Sequence, residues 1–439
     1  MLKKIISSVI MNKIFPMNGI WGRIYSASFW GISGSVLNRL LLFFTSVVLI
    51  RLLVTKAYGE YSIVRSTLAT FVVFGSTGFG VTAMKYISEY KKASPQRAGN
   101  VIVLTCCSVA VLGAILSLFI ILFAGEIAEH ILHRSELTHI LKWMSITIFI
   151  ASMAAVGNGI LSGLECFSSI MLINVLAGCI IFIFSSVFAY FWGVHGALVG
   201  LLCYFVASCI LSVYFISRGM KKYGIKLEFK GTKKEIPILW RFSAPSVFNS
   251  IILSSSVWLG NSMLVQQHGG LEMMAGFDIL NQGRTMLLFV PMAINNSGLS
   301  ILSSLLSDNN RAEYKRAIFC YFKSNMIITL IMCLIIIIGG KFFLRLYGES
   351  FVVYYSALIV LVISGLISVI ANVCGNIIQS QGKAWIGFSF NVFWSLLFLI
   401  CSYFLLKNNM GVLGLCLANL LTYLLHVTLQ VFYIYKFLL

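Results

Sequence analysis

The sequence predicts an all-α integral membrane protein of about twelve transmembrane helices, arranged as two six-helix bundles. Of its 439 residues, 59% are hydrophobic and 10% are charged, whereas a soluble chain carries about 25% charged residues. Long apolar runs alternate with short charged segments along the whole chain. A weak internal repeat relates the two halves and predicts the two bundles.

The apolar runs indicate helices, because the lipid interior offers no hydrogen-bond partner to an unpaired backbone. The predicted spans are 28–50, 62–84, 100–124, 142–163, 169–192, 196–217, 242–265, 273–302, 318–338, 353–378, 384–405 and 411–435. Residues 1–25 have a basic start, but their apolar stretch is shorter than a signal-peptide core and Lys13 interrupts it. We therefore expect 1–25 to be an interfacial segment on the cytoplasmic face.

The formal net charge of +19 is explained by topology. With a cytoplasmic N-terminus, 22 of the 32 basic residues fall in cytoplasmic segments or at the cytoplasmic ends of spans, seven in outer segments or at the outer ends of spans, and three deeper inside spans. Cytoplasmic loops of membrane proteins are enriched in Lys and Arg, so this distribution predicts a multi-pass inner-membrane protein with both termini in the cytoplasm. The basic segments are expected to contact anionic membrane lipids. Nucleic acid is not an expected partner.

A shift of 218 residues superimposes two blocks of the first half on the second. The matched residues are Gly157, Asn158, Ile160 and Ser162 with Gly375, Asn376, Ile378 and Ser380, and Gly193, Val194 and Gly196 with Gly411, Val412 and Gly414. A repeat of six helices re-enters the membrane in the same orientation, as in transporters whose lobes rock about a central site. The predicted domains are a lobe at 26–218, a basic cytoplasmic linker at 219–239 and a lobe at 240–439.

Several motifs in fixed order resemble the polysaccharide transporter proteins. They are Arg51-Leu-Leu-Val-Thr-Lys-Ala-Tyr-Gly-Glu-Tyr61, Gly78-Phe-Gly80, Tyr86-Ile-Ser-Glu-Tyr90, Arg97-Ala-Gly-Asn-Val-Ile102 and Gly157-Asn-Gly-Ile-Leu-Ser-Gly-Leu-Glu-Cys-Phe167. That family comprises O-antigen flippases of the Wzx type, within the superfamily that includes the MATE drug exporters. The resemblance implies two six-helix bundles around a lumen and outward movement of an undecaprenyl-diphosphate-linked oligosaccharide in lipopolysaccharide biosynthesis. A polysaccharide polymerase and a chain-length regulator are the implied protein partners.

Three arginines lie inside predicted spans, namely Arg39, Arg65 and Arg284. An arginine at the bilayer centre costs about 2.5 to 3.5 kcal/mol on the insertion scale, so it normally faces a wet cavity or a partner. Arg39 flanks a polar stripe that includes Asn38, and this stripe either lines a lumen or packs on another helix. Arg65 lies near the outer end of its span and has the alternative of reaching the headgroups. Similar flippases often carry an arginine in the part of the chain where Arg284 lies.

Other polar residues inside spans are candidates for binding the sugar or for packing between helices. They are Asn249 in the span 242–265, Asn281 beside Arg284, and Asn376 in the span 353–378. Asp278 is the acid that lies deepest in a predicted span, and it either couples an ion or neutralises a cation. It lies six residues from Arg284, which places the two side chains about 120 degrees apart on a helix. The two are not expected to pair.

The leading functional prediction is a flippase, with the cargo diphosphate bound by Arg39 and Arg284. One alternative is a cation-coupled multidrug exporter of the MATE type, which needs carboxylates in its lumen. A second is a membrane polymerase or glycosyltransferase, which needs a larger outer loop than the longest one here, at about 125–141. The sequence has no P-loop and no C-x-x-C pair, so neither ATP, a cofactor nor a metal is expected.

Overall fold

The computed structural model describes residues 20–228, 231–238, 244–307 and 311–438, and the described residues form helices without any β-strand. The helices are α1 Ile20–Ala93, α2 Pro95–Glu126, α3 Leu137–Met144, α4 Ile146–Gly163, α5 Phe167–Tyr223, α6 Ala244–Val265, α7 Gly270–Ser307, α8 Arg311–Tyr347, α9 Tyr355–Ser380, α10 Ala384–Lys407 and α11 Gly411–Phe437. Shorter helical turns are Ile127–Ile131, Thr232–Glu235, Ile236–Ile238 and Glu349–Tyr354.

Two of these helices are broken in the middle. In α1 the break is at Val54, with φ 63° and ψ 155°, and in α5 it is at Gly193, with φ 57°. Glycine adopts positive φ without steric cost, which explains the break at Gly193. Counting each break as a boundary and leaving out the short helix α3, the described chain has twelve long helical segments. Eight of the helices, with α1 and α5 each counted once, are long and apolar enough to cross a membrane.

Residues 51–61, which separate the first two predicted spans, are helical on both sides of Val54. The expectation of a loop here is wrong. Its polar residues were interpreted as a solvated connection, but a helix satisfies the backbone hydrogen bonds just as well and needs only one irregular residue to change direction. As a result, Tyr58, Tyr61 and Arg65 follow one another at helical spacing on the second half of α1.

The start of α2 and the end of α5 carry residues that are typical of helix termini. Pro95 is the first residue of α2, where its missing N–H costs no hydrogen bond. At the end of α5, Gly224 adopts φ 66° and donates its N–H to the carbonyl groups of Lys221 and Met220. The predicted linker 219–239 therefore begins with the last turn of α5. The first nineteen residues of the predicted interfacial segment 1–25 lie outside the described residues.

The chain divides into two compact units. Unit 1 comprises the described residues within 1–49, 71–122 and 142–247, and unit 2 comprises those within 50–70, 123–141 and 248–439. Two segments of the first predicted lobe, 50–70 and 123–141, thus belong to unit 2. The lobe boundaries at 26–218 and 240–439 stay predictions.

In unit 1, a buried apolar core joins α1, α2, α4 and the residues after α5. Its members include Phe79, Ile87, Val101, Ile160 and Ile225.

The start of α2 also holds the described part of the linker through polar contacts: Arg97 donates two hydrogen bonds to the buried Glu235, at 2.7 and 3.0 Å. Gln96 donates to Glu228 at 2.7 Å. The described part of the linker is therefore docked on unit 1.

In unit 2, α7, α8, α9 and α11 share a second apolar core. Leu302, Tyr321, Val373, Ile378 and Ile434 are among its buried members. Helix α9 packs most extensively on α11, and α7 continues through Pro291 without ending. This unit holds Arg65, Asp278 and Arg284, and therefore contains the charged residues of interest.

The strained break at Val54 allows a test of the fold. A β-branched residue in this region of φ and ψ costs about 1 to 3 kcal/mol, and the side chain is 73% exposed, so it gains little from burial. Val54→Gly is expected to raise the apparent melting temperature of the purified protein, because strain relief exceeds the entropy cost of glycine, about 0.5 to 1 kcal/mol. Val54→Ala keeps the Cβ and is the control. Equal destabilisation by both changes would contradict the strained break.

Candidate functional site in the charged helices of unit 2

Arg65 and Asp278 form an ion pair between α1 and α7. Arg65 Nη2 lies 2.5 Å from Asp278 Oδ1, and the side chains are 32% and 9% exposed. The guanidinium also lies over the ring of Tyr61, 5.4 Å from its centroid. Asp278 therefore neutralises a cation, which was one of its two predicted roles, and the cation is Arg65 rather than Arg284. Arg65 is bonded within the protein instead of extending to headgroups.

Further hydrogen bonds support the carboxylate of Asp278. The buried Tyr58 hydroxyl donates to Asp278 Oδ2 at 2.9 Å, and Gln282 Nε2 lies 3.4 Å from the same oxygen. Tyr347 in turn donates its hydroxyl proton to Gln282 Oε1 at 3.1 Å. Asp278 thus has two donors besides Arg65, and one of them is held in place by a third helix. Buried polar networks of this kind are stable when every member has a partner.

Arg284 has a different environment, one turn and a half further along α7. Its Nη2 lies 3.4 Å from the Tyr423 hydroxyl, and the guanidinium carbon lies 5.6 Å from the centroid of the same ring. Its Nε is buried without a hydrogen-bond partner. Within the described part of the chain, no carboxylate lies within ion-pair distance of Arg284. Arg284 is therefore a partly buried cation that contacts the ring of Tyr423 and has an N–H donor, at Nε, without an acceptor.

The three predicted asparagines of unit 2 differ in their contacts. Asn281 is exposed on α7. Asn249 of α6 accepts a hydrogen bond from Asn391 of α10 at 2.8 Å. Asn376 of α9 donates to the carbonyl of Asn295 at 3.0 Å and to the hydroxyl of Tyr321 at 2.7 Å. The Asn376 amide thus joins three helices, which is the packing role that the sequence left open.

The two predicted residues of unit 1 lie on the first half of α1. Arg39 is partly buried, and its neighbours Leu37 and Leu40 are exposed. Asn38 lies against α5, where a Cβ added to Gly178 would come within 2.9 Å of Asn38 Oδ1. Asn38 therefore packs at a helix interface. The proposed pairing of Arg39 with Arg284 around a common cargo stays a prediction.

Two partners that the sequence did not single out are Tyr58 and Tyr423. Tyr58 lies in the stretch interpreted as a loop, and a helical interpretation of that stretch would have placed it on the same face as Arg65. Tyr423 lies 139 residues from Arg284 in the chain. No local pattern signals such a contact.

The sequence from 25 to 299, more than half of the chain, matches the model of a family described as "Polysaccharide biosynthesis protein". The chain belongs to this family. The match confirms the resemblance to polysaccharide transporter proteins that the motifs indicated. A search of curated protein sequences finds no significant match.

Solved structures with the same fold are membrane transporters. An inward-facing multidrug resistance transporter of the MATE family, in the MOP superfamily, is 16% identical, with a TM-score of 0.75 over 92% of this chain and 98% of that one. The lipid II flippase MurJ in an inward closed conformation is 14% identical, with a TM-score of 0.71 over 92% and 87%. A MOP superfamily transporter from Pyrococcus furiosus, described as having a binding pocket of reverse polarity, is 17% identical, with a TM-score of 0.68 over 94% and 95%.

At these identities the similarity establishes the fold. It confirms the prediction of an all-α, multi-span, MATE-like protein. The family member described here is therefore a multi-pass membrane protein with the fold of a transporter.

A double-mutant cycle tests the Arg65–Asp278 pair. Asp278→Ala leaves the partly exposed Arg65 guanidinium without its counter-charge and is expected to cost up to about 3 kcal/mol, whereas removing both charges of the pair is less costly. Membrane abundance and apparent melting temperature of Asp278→Ala, Arg65→Gln and Arg65→Gln/Asp278→Ala measure the coupling. The double variant should be more stable than Asp278→Ala. Additive losses would show that the two side chains do not interact.

Proposed function

We propose that this chain is a flippase that moves an undecaprenyl-diphosphate-linked oligosaccharide from the cytoplasmic to the periplasmic leaflet of the bacterial inner membrane. Family membership places the chain in polysaccharide biosynthesis. Its fold is shared with transporters, among them one whose described activity is flipping of lipid II. Both termini are proposed to lie in the cytoplasm, as the distribution of Lys and Arg predicts.

The observation that carries this proposal is the state of Arg284. A guanidinium inside a membrane-spanning helix is costly unless a partner or water compensates it, and Arg284 has Tyr423 but no paired acid in the described chain. Its planar fork of N–H donors matches the oxygen atoms of a phosphate group. An anionic cargo would supply the missing counter-charge, and the diphosphate is the anionic part of the proposed cargo.

The exposed polar residues beside Arg284 on α7 indicate that this cation faces water. Asn281 and Thr285 are exposed one turn apart on the same helix as Arg284. An exposed amide in contact with hydrocarbon would leave its polar atoms unsatisfied. We infer that this face lines a water-filled cavity. The diphosphate of the cargo can enter this cavity together with the attached polyprenyl chain.

The membrane potential favours the proposed direction. Moving an anion out of a cell that is negative inside releases about 2.3 kcal/mol per charge per 100 mV. A cationic binding residue that takes up an anion on the inside and releases it on the outside therefore works with the potential. This account needs no nucleotide.

A cation-coupled multidrug exporter is the second candidate, because MATE-type transporters share the fold. Such a protein needs carboxylates that are available to cationic drugs, and Asp278 is bonded to Arg65. The candidate is therefore less well supported. A polymerase or glycosyltransferase has no specific support, since Ile127–Ile131 and α3 occupy most of the longest predicted outer loop.

Substitution of Arg284 tests the proposal in a strain that lacks its own flippase. Arg284→Lys keeps the charge but loses the bidentate geometry, and is expected to retain partial display of surface polysaccharide. Arg284→Gln loses the charge and should lose about 2 kcal/mol or more of cargo binding, so display should be abolished at normal protein abundance. The measurement is surface polysaccharide by immunoblot, normalised to membrane protein.

Arg345→Gln is the matched control. This arginine is also in unit 2 but is exposed and pairs with Glu349 at i+4, an interaction worth about 0 to 1 kcal/mol. Its loss should leave display unchanged. Normal display from a well-expressed Arg284→Gln variant would contradict the role of Arg284.

A further inference from the structure

Unit 2 contains a polar seam that joins the two predicted repeats. One side of the seam is the second half of α1, from the first repeat, and the other side is α6 and α7, from the second. Besides the Arg65–Asp278 pair, Trp258 Nε1 donates to Thr67 Oγ1 at 2.9 Å, and Asn261 Nδ2 donates to Ser66 Oγ at 3.0 Å. All of these groups are well buried apart from Arg65 and Ser66.

The backbones also approach closely at this seam. A Cβ at Gly59 would overlap the carbonyl oxygen of Leu271 at the start of α7. Only glycine allows the two helices to come this near. The two predicted repeats are therefore closely packed against each other at the seam.

Rocking of two repeats about a central site requires contacts of this kind to break and re-form during each cycle. An ion pair resists separation unless each charge finds another partner, because an uncompensated charge in a low-dielectric environment is costly. The two members of the pair differ in this respect. Asp278 keeps the Gln282 amide, which lies on its own helix, as a donor when the second half of α1 moves away, whereas Arg65 needs a replacement anion.

We propose that the Arg65–Asp278 pair is a latch, and that the cargo diphosphate opens it by replacing Asp278 on Arg65. This inference rests on the proposed function, since it assumes a diphosphate-bearing cargo. The Arg65 side chain is 32% exposed, so an anion can reach it while it is still paired. A diphosphate carries more negative charge than a carboxylate and offers more acceptor oxygens to the guanidinium.

The latch links arrival of the cargo to a change of conformation. A ligand shifts a conformational equilibrium only by its differential affinity for the two states. The two states differ in affinity for the diphosphate because Arg65 is free to bind it when the pair is open. When the pair is closed, Arg65 is bonded to Asp278. Asp278 therefore acts as an internal competitor of the cargo, and Gln282 on the same helix holds its carboxylate after displacement.

Binding of farnesyl diphosphate to the purified full chain in lipid nanodiscs tests the competition. Asp278→Asn keeps the shape and the Tyr58 contact but removes the competing charge, so it should bind the probe roughly five- to tenfold more tightly than the wild type. Arg65→Gln should bind more weakly, and Arg65→Gln/Asp278→Asn should resemble Arg65→Gln. Farnesol, which lacks the diphosphate, should bind all four proteins equally.

Glu349→Gln is the matched control for loss of one acidic charge in unit 2, because Glu349 is exposed and pairs with Arg345. Its affinity for farnesyl diphosphate should equal that of the wild type. Equal affinities of the wild type, Asp278→Asn and Arg65→Gln would overturn the latch while leaving the proposed function intact, provided that Arg284→Gln loses binding. Absence of binding by the wild type would overturn the proposed function and the latch together.

A cross-link reports the state of the seam itself. In a background without native cysteines, Ser66→Cys and Asn261→Cys place two thiols at a pair of positions whose present side chains form a hydrogen bond across the seam. Oxidation should join them efficiently without ligand, and farnesyl diphosphate should slow the reaction. Asp278→Asn should slow it without ligand. Equal rates under all three conditions would show that the seam does not open and would overturn the proposal.

Discussion

A charge inside a membrane has to be compensated, and this constraint explains the arrangement of unit 2. The chain places two arginines within its helical core there and provides one deeply placed acid for them. Arg65 takes that acid, with Tyr58 and Gln282 completing the coordination of the carboxylate. Arg284 receives an aromatic ring and a hydroxyl group instead. The unequal distribution of partners distinguishes a cation that holds two helices together from one without a counter-charge among the described residues.

This distinction gives each residue of the site a physical role. Arg284 contributes a charge whose counter-ion is absent from the described protein, and Tyr423 limits the orientations that its guanidinium can adopt. Arg65 and Asp278 hold the second half of α1 against α7, together with the hydrogen bonds of Trp258 and Asn261. Asn376 and Asn295 hold α9 against α7 through Tyr321. Asn376, Trp258 and Asn261 therefore serve helix packing, Arg284 is proposed to bind the cargo, and Arg65 is proposed to do both.

Much of the fold was predictable from the sequence, because lipid restricts the backbone to helices of a known length and composition. The number of helical segments followed from that restriction, and the polysaccharide family and its MATE-like fold followed from the order of the motifs. The break at Val54 was not predictable, since polar residues such as Lys56 and Glu60 look the same in a loop and in a helix. The Arg65–Asp278 pair spans 213 residues of sequence. A single sequence carries no record of which distant residues meet, so only the need of each charge for a partner could be foreseen.

The central claim is that the chain moves a lipid-linked diphosphate, and reconstituted transport tests it most directly. Liposomes that contain the purified chain and a fluorescent undecaprenyl-diphosphate-linked sugar are treated with a membrane-impermeant quencher from outside. The account predicts that the protected inner-leaflet pool disappears only when the protein is present, and faster when a potassium diffusion potential makes the interior negative. A protected pool that persists as in protein-free liposomes, or that is lost equally for a fluorescent lipid without the diphosphate, would contradict the account.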